Sequence, residues 1–278
     1  MVLVRCAECG MVFAVVAGRE FTEGEFYETT GSNFYASEDK MAGDYSPVRY
    51  RREIDLLRKF CPRGRVLDVG CSTGGFLFYL RERFGSQYEV MGTDVASGAL
   101  EIAESKGIPV LREDFLSLSR GGYYDAISFW AVLEHVAAPG QFLRQARALL
   151  RPGGHCFTLV PNIRSLAVRV LGRKYRYILP QHLNYFSSGT LRRLIADSGF
   201  QVIYSTTTHF NPLVILQDFR SKTGLVLDEE RAALLVKTNS LKTNPLLAPI
   251  RVGYAMAEKV LGGFGLADNV VVIGRKAS

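Results

Sequence analysis

The chain has 278 residues, 34 Lys and Arg against 27 Asp and Glu, and a formal net charge of +7. With 47% hydrophobic residues and a mean hydropathy of +0.07, it has the composition of a folded globular protein, which excludes a disordered polyelectrolyte. No apolar run reaches the ~20 residues that span a bilayer. Arg5, Cys6, Glu8 and Cys9 stand where a secretion signal would have its apolar core, so the expected location is the cytoplasm.

From the amino end, residues 1–45 read as an arm without helical periodicity. Cys6-Ala7-Glu8-Cys9-Gly10 has the spacing of half a zinc site. A closed tetrahedral site takes four ligands, and the sequence holds no second Cys-x-x-Cys and no His pair nearby, so no metal is assigned. Cys61, Cys71 and Cys156 are dispersed, and five cysteines make an odd count that argues against a disulfide framework. Phe21, Phe26, Tyr27, Phe34, Tyr35 and Tyr45 are too many aromatics for a solvated tail, and they are expected to drape over a main domain spanning 46–278. Ile54, Leu57 and Phe60 fall at helical spacing, and Pro62 and Gly64 end that helix.

Val66-Leu67-Asp68-Val69 then reads as a buried strand that runs into Gly70-Cys71-Ser72-Thr73-Gly74-Gly75 and a helix from Gly75. Such a turn lets backbone approach a ligand and sets free helix N–H groups at its edge. Tyr88 to Asp94 reads as a second strand ending in a carboxylate, the offset at which α/β nucleotide folds hold ribose hydroxyls. A dinucleotide fingerprint needs Gly-x-Gly-x-x-Gly, and Ser72 stands at the middle glycine. Asp68 would also repel two phosphates. A cofactor with a cationic centre fits these acidic neighbours better.

The run resembles the first motif of class I S-adenosylmethionine (SAM) methyltransferases, with Asp68, Gly70 and Gly74 matching and Ser72 departing. Later segments follow in the order that family would have them. Gly107 to Phe115 resembles its third strand with an acidic-aromatic pair, and Tyr124 to Trp130 the fourth strand before Val132-Leu133-Glu134-His135. Leu149-Leu150-Arg151-Pro152-Gly153-Gly154 resembles a helix end and turn, and His155 to Val160 a fifth strand. The resemblance implies a doubly wound, seven-stranded, mostly parallel α/β sheet with SAM as cofactor. It implies cofactor contacts from Asp68, Gly70, Cys71, Ser72 and Gly74, from Asp94 and Val95, from Asp114 at the adenine amine with Phe115 packing on the ring, and from Trp130.

Two insertions complete the reading. Residues 162–186 interleave Ile163, Leu166, Val170 and Leu171 with Arg164, Arg169, Arg173 and Lys174. A helix capped by Ser188 and stopped by Gly199 follows, then a sixth strand over Gln201–Thr207. Residues 208–266 are apolar where the family needs only a hairpin, with helices expected over Glu229–Lys237 and Pro249–Leu261, before an antiparallel seventh strand to Lys276. This helical insertion reads as a lid, a homodimer face, or a surface for peripheral membrane contact with a lipid-linked acceptor. His182 and His135 are the candidate bases, His182 first, with Tyr185 beside it. The expected reaction is methyl transfer to a small-molecule, sugar or lipid-linked acceptor, in the manner of methyltransferases of cell-envelope polysaccharide synthesis. Nucleic acid is disfavoured, since no Asp/Asn-Pro-Pro-aromatic tetrad follows the fourth strand, although the arginine-rich segments keep an RNA or other nucleic-acid methyltransferase open. A non-catalytic SAM-binding protein is the remaining alternative.

Overall fold

The computed structural model describes residues 1–15, 26, 37–220 and 248–277. The chain starts with a hairpin of β1 (Val2–Arg5) and β2 (Val12–Val15), whose turn is the Cys6–Gly10 segment, with Gly10 at φ 73°. Helix α1 (Glu38–Asp44) precedes α2 (Arg51–Phe60). In α2, Ile54 and Leu57 are buried one turn apart while Arg51, Arg52 and Asp55 face water, as the spacing predicts. Of the arm aromatics, Phe21, Tyr27, Phe34 and Tyr35 lie outside the described residues.

Next, β3 (Gly64–Val69), α3 (Gly75–Phe84), β4 (Tyr88–Thr93), α4 (Ser97–Ser105), β5 (Val110–Leu111), β6 (Tyr124–Trp130), α5 (Pro139–Leu149) and β7 (Leu150–Pro161) alternate. The sheet has the order β5-β4-β3-β6-β7-β10-β9, with β9 over Phe200–Thr208 and β10 over Asn269–Lys276. Strand β10 pairs antiparallel with both β7 and β9, and the other pairings within this sheet are parallel. Strand order reverses between β3 and β6, so the carboxyl ends of β3, β4 and β6 border one crevice. Apolar side chains cover both faces: Leu67, Phe129, Leu143 and Val270 on one, Val66, Phe76, Leu77 and Phe157 on the other. That explains why β3 reads as a continuous apolar run rather than an alternation.

The structure departs from the sequence reading in four places. The third strand shrinks to Val110–Leu111, because Pro109 has no N–H for the ladder and the strand sits at the sheet edge. Pro152-Gly153-Gly154 does not separate helix from strand; β7 begins at Leu150 and takes these residues as a register shift against β6. The helix over Ser188–Asp197, α7, is capped by Ser187, whose side chain accepts from Thr190 while Thr190 accepts from the Ser187 N–H. Strand β8 (Asn184–Tyr185) joins β2 to make a second sheet, β1-β2-β8, which ties the hairpin to the first insertion.

That insertion holds α6 (Leu166–Leu171), capped by Ser165. Beyond β9, α8 (Pro212–Arg220) and α9 (Ala248–Gly263) are the described helices of the second insertion, and the helix expected over Glu229–Lys237 lies outside the described residues. No helix among the described residues is long and apolar enough to cross a membrane. The insertions are clamped together by Arg176, which donates to both oxygens of Asp218 on α8 while the Arg176 N–H also reaches Asp218. Asp218 is fully buried. Removing one partner of a buried pair strands the other charge, so Arg176→Met should destabilise by about 3–5 kcal/mol in denaturant unfolding. The double variant Arg176→Met/Asp218→Leu should recover most of that loss, and a double variant as weak as the single one would show that the clamp is not electrostatic.

Candidate active site

The glycine turn is held by a single carboxylate from the neighbouring strand end. Asp94 accepts the Ser72 N–H at 2.8 Å and the Ala96 N–H at 2.9 Å, so it joins the β3–α3 turn to the β4–α4 turn. The Gly70 and Cys71 N–H groups both reach the Thr93 carbonyl. Gly70 lies at φ 71°, and a Cβ there would stand 2.5 Å from Val132 Cγ2. At Gly74, φ 83°, a Cβ would press on Ala103 and Ile108 of the α4 region. These glycines are therefore required by close packing within the fold as well as by any ligand. Ser72 also has a positive φ of 50°, a cost for a non-glycine residue that persists where the surroundings over-determine it.

Helix α1 crosses this turn. The Tyr45 hydroxyl donates to the Thr73 carbonyl at 2.5 Å, the Tyr79 hydroxyl donates to the Tyr45 carbonyl, and Thr73 Oγ1 donates to Asp44 at 3.4 Å. Lys40 pairs with Asp44 and lies within electrostatic reach of Asp94; burial pushes its ammonium below its usual value while Asp44 pulls the other way. Arg49, just before α2, lies against the Tyr50 ring at 4.9 Å and is influenced by Asp44, Glu53 and Tyr177. In the sequence it stands in the run Arg49-Tyr50-Arg51-Arg52. Its one distinguishing signal is a cation just ahead of the helix that leads into β3.

Ser72 Oγ, Trp130 Nε1 and Arg49 Nε are among the buried polar atoms with no hydrogen-bond partner within the described chain. Trp130 sits half-buried with its ring edge-on to Phe76 at 5.4 Å. Val95, 63% exposed, flanks Asp94 at the crevice rim. Asp114 is exposed and begins a short turn over Phe115–Ser117. Phe115 is not at the rim: it is 4% exposed, stacked on Phe142 and edge-on to Phe129. Its ring is spent on the core, so Leu116, 37% exposed, is the apolar side chain left outside there. Cys71 is buried against the position of Gly92. A broad hollow lies elsewhere, at the amino ends of β3 and β4 among Gly64, Arg65, Tyr88 and Tyr123, and shares no residue with these motifs.

On the far side of Trp130, Ala131 at φ 59° turns the chain into Leu133-Glu134-His135. Leu183 and Asn184 donate their N–H groups to the Glu134 carbonyl at 2.7 and 3.0 Å, and the Asn184 amide donates to the carbonyls of Leu133 and Val136. His182 and His135 thereby meet edge-on, with ring centroids 4.6 Å apart. Among the described residues, Glu134, His135 and His182 form the one group that could hold a metal ion, with ligand atoms within 4.8 Å of one another. Burial pushes Glu134 up to about 8 and His135 down to about 4. A narrow cavity beside them is lined by His182, Tyr175, Tyr177, Tyr185, Ile163 and Ile178. Tyr177 stacks on His182, whereas the Tyr185 hydroxyl donates to the Leu179 carbonyl at 2.9 Å and is engaged in the fold.

Asp68 lies below the glycine turn, 3% exposed, accepting from the Ser128 hydroxyl at 2.6 Å. Burial pushes its carboxyl up to about 8, against the opposing pull of that hydroxyl. The unfolded chain releases the same proton near pH ~4. Between those values the folded state binds one proton more, so stability falls as pH rises, by up to about 1.4 kcal/mol per pH unit. Asp68→Asn should flatten the dependence of melting temperature on pH between about 5 and 8. Parallel curves for the variant and the wild type would mean that Asp68 is already ionised in the folded protein.

Known proteins place this geometry. The methyltransferase domain family matches residues 43–205, which span the glycine turn, the Glu134–His135 turn and the first insertion. A ubiquinone biosynthesis O-methyltransferase of Burkholderia pseudomallei is 30% identical over 192 residues, covering 64% of this chain and 81% of that protein. A protein of the same name from Vibrio parahaemolyticus is 30% identical over 165 residues, covering 54% of this chain and 68% of its own length. Among solved structures, a SAM-dependent methyltransferase from Thermotoga maritima, described as a possible histamine N-methyltransferase, aligns with a TM-score of 0.60 at 16% identity, over 91% of this chain and 99% of that one. Phosphoethanolamine N-methyltransferase 2 of Haemonchus contortus in complex with SAM aligns with a TM-score of 0.58 at 16% identity, over 95% of this chain and 61% of that one. The structural likenesses carry the fold, and the family match over more than half of the chain carries the chemistry: this chain belongs to the methyltransferase domain family and is a SAM-dependent methyltransferase.

Proposed function

We propose that this enzyme transfers the SAM methyl group to a hydroxyl of a small phenolic acceptor, with or without a lipid tail. The observation that carries the reading is the narrow His182 cavity, where Tyr175, Tyr177, Tyr185, Ile163, Val168 and Ile178 stand together with Pro161, Asn162 and Asn184. Its three tyrosine rings and branched apolar side chains suit contact with a flat aromatic ring. The name shared by the relatives, ubiquinone biosynthesis O-methyltransferase, supports the same chemical class. Exposed Val170 on α6 and Leu216 and Phe219 on α8, beside Arg169, Arg173 and Lys174, suit a lipid-bearing acceptor drawn from an anionic surface. We read residues 46–278 as the methyltransferase domain and residues 1–45 as an arm on it.

For the cofactor, we assign Asp94 to the ribose hydroxyls, the Gly70–Gly74 turn to the methionine end, and Asp114 to the adenine amine, with Val95 and Leu116 along the ring. Arg49, with its unpartnered buried Nε, is assigned to the methionine carboxylate. Asp44 and Asp94 favour the cationic sulfonium and ammonium groups. Transfer is an in-line displacement: the acceptor oxygen forms the new bond to carbon as the carbon–sulfur bond breaks, and the electron pair stays on sulfur. SAM supplies the methyl group and its leaving group when bound. The protein orients the acceptor and manages the hydroxyl proton, which places Glu134, His135 and His182 at the acceptor oxygen.

His182→Ala tests the assignment. Its S-adenosylhomocysteine affinity by calorimetry should stay within about twofold of the wild type, while methylation of a catechol probe should fall by roughly 10²–10⁴. Unchanged turnover would remove His182 from the acceptor site. Methylation of sugar nucleotides but not of phenols would overturn the acceptor class, and absence of turnover with every class would favour a SAM-binding protein without catalysis.

A further inference from the structure

His209, just past the end of β9, is held in a backbone conformation that is unfavourable for a histidine. Its φ is 60°, a left-handed value that a non-glycine residue keeps only where its surroundings dictate it. Here the N–H donates to Glu258 Oε1 and the carbonyl accepts from the Asp268 N–H, both at 2.7 Å. This turn sets His209 Nε2 3.5 Å from Glu53 Oε1 on α2. Glu258 is engaged by Arg52, which donates to both of its oxygens, so Glu53 is the carboxylate left to balance this imidazole. A carboxylate oxygen attracts the proton-bearing nitrogen, so Nε2 carries the proton in the neutral ring and Nδ1 carries the lone pair. That Nδ1 is buried with no hydrogen-bond partner among the described residues, and so is Glu53 Oε2. The Glu53 side chain is 6% exposed, while that of His209 is 29% exposed, which leaves the ring room to tilt toward a ligand. A carboxylate that fixes the tautomer of a histidine and leaves the far nitrogen to accept is the arrangement of a general base with its orienting group.

The position of the pair connects it to the proposed site. Strand β9 runs parallel to β3 and β6, so His209 stands at the crevice end of the sheet. Arg49, assigned above to the methionine carboxylate, lies within electrostatic reach of Glu53 and of His209, and also of Tyr177, which stacks on His182. Asp268, bonded to the His209 backbone, lies within reach of Tyr175 in the wall of the His182 cavity. We propose that His209, oriented by Glu53, is the catalytic base that takes the proton of the acceptor hydroxyl, while His182 orients the acceptor. The dyad stands on geometry alone; its use in catalysis rests on the methyl-transfer reading above. As the acceptor oxygen forms its bond to the methyl carbon, the carbon–sulfur bond breaks and its electron pair stays on sulfur. The hydroxyl proton passes to His209 Nδ1. The products are the methyl ether, S-adenosylhomocysteine and an imidazolium whose charge Glu53 balances until the proton leaves to water. Burial lowers the His209 imidazole below its usual value; Glu53 and Glu258 oppose that, and Arg52 and Arg49 add to it. The ring is therefore unprotonated at neutral pH and able to accept.

Nitrogen NMR tests the dyad without an assay of activity. The full chain, its four histidines labelled with ¹⁵N in the ring, is saturated with S-adenosylhomocysteine. His209→Asn identifies the His209 signals by their loss, and asparagine tolerates the left-handed backbone, so the fold is kept. His209 should show a protonated Nε2 and a bare Nδ1; the opposite tautomer overturns the dyad. Catechol added to this complex should move the Nδ1 signal as its hydroxyl donates there, and an unmoved signal overturns the contact with the acceptor. In turnover, His209→Asn should lower kcat for catechol by roughly 10²–10⁴, with S-adenosylhomocysteine affinity within about twofold of the wild type. Glu53→Gln removes the charge that favours the imidazolium, so the acid limb of the pH–rate profile should move to lower pH and the rate should fall. Unchanged kcat in His209→Asn, or an acid limb that Glu53→Gln leaves in place, overturns the catalytic role. A wild type that methylates no phenol although catechol moves Nδ1 would defeat the functional reading and leave the dyad as a binding site. If a variant loses cofactor affinity, the wild-type tautomer and the catechol shift decide alone.

Discussion

The bond from one carboxylate to two turns organises this molecule. Asp94 ends β4, yet it accepts from Ser72 in the turn after β3 and from Ala96 at the start of α4. These bonds add to those from the Gly70 and Cys71 N–H groups to the Thr93 carbonyl, so the two turns at the mouth of the sheet are tied at several points. Charge-assisted bonds to backbone N–H groups are among the stronger ones in proteins, and here they set the shape of the cofactor crevice. The positive φ at Gly70, Ser72 and Gly74 is tolerated because this network and the Val132, Ala103 and Ile108 side chains leave the turn no alternative.

The proposed acceptor side depends on a second set of backbone staples. Asn162, at the end of β7, donates to the carbonyls of Gly265 and Ala267, and its N–H reaches Asp268, so both insertions are drawn together just before β10. Asn184 does the same for the Glu134 turn and, through β8, for the amino-terminal hairpin. Amide side chains suit this role because they donate and accept without bringing a charge that needs neutralising. The hairpin that carries Cys6 and Cys9 is thus one strand pairing away from the segment that carries His182.

Buried charge is concentrated at the same end of the sheet. Asp44, Asp68, Glu53 and Glu134 are all buried there, and Arg49, Lys40 and His209 lie among them. His209 stands 3.5 Å from Glu53, and Glu258 joins Arg52 and the His209 N–H, which holds α9 against α2. Such a density of desolvated groups is unfavourable for folding taken alone, and it is typical of places where a fold is shaped around a charged ligand. For a cofactor that carries a sulfonium, an ammonium and a carboxylate, both signs of charge are needed within a few ångströms.

The order of elements was legible in the sequence because it rests on local chemistry. Continuous apolar runs mark strands buried on both faces, Gly70 to Gly75 marks a turn no other residues would form so readily, and Asp94 follows at the offset a ribose requires. The same holds for the last strand, Asn269–Lys276, which is antiparallel as the resemblance implied. What could not be read locally was decided by which side chains meet across distance. Phe115 goes to the core because Phe129 and Phe142 await it there, Tyr185 is engaged by the Leu179 carbonyl, and Arg49 lies over the Tyr50 ring. Glu134 and His182 are ordinary residues of a turn and a loop until the N–H groups of Leu183 and Asn184 close on the Glu134 carbonyl. Periodicity and turn chemistry act over a few residues and so are written along the chain; desolvation and ligand geometry act between segments and exist only once the chain has folded.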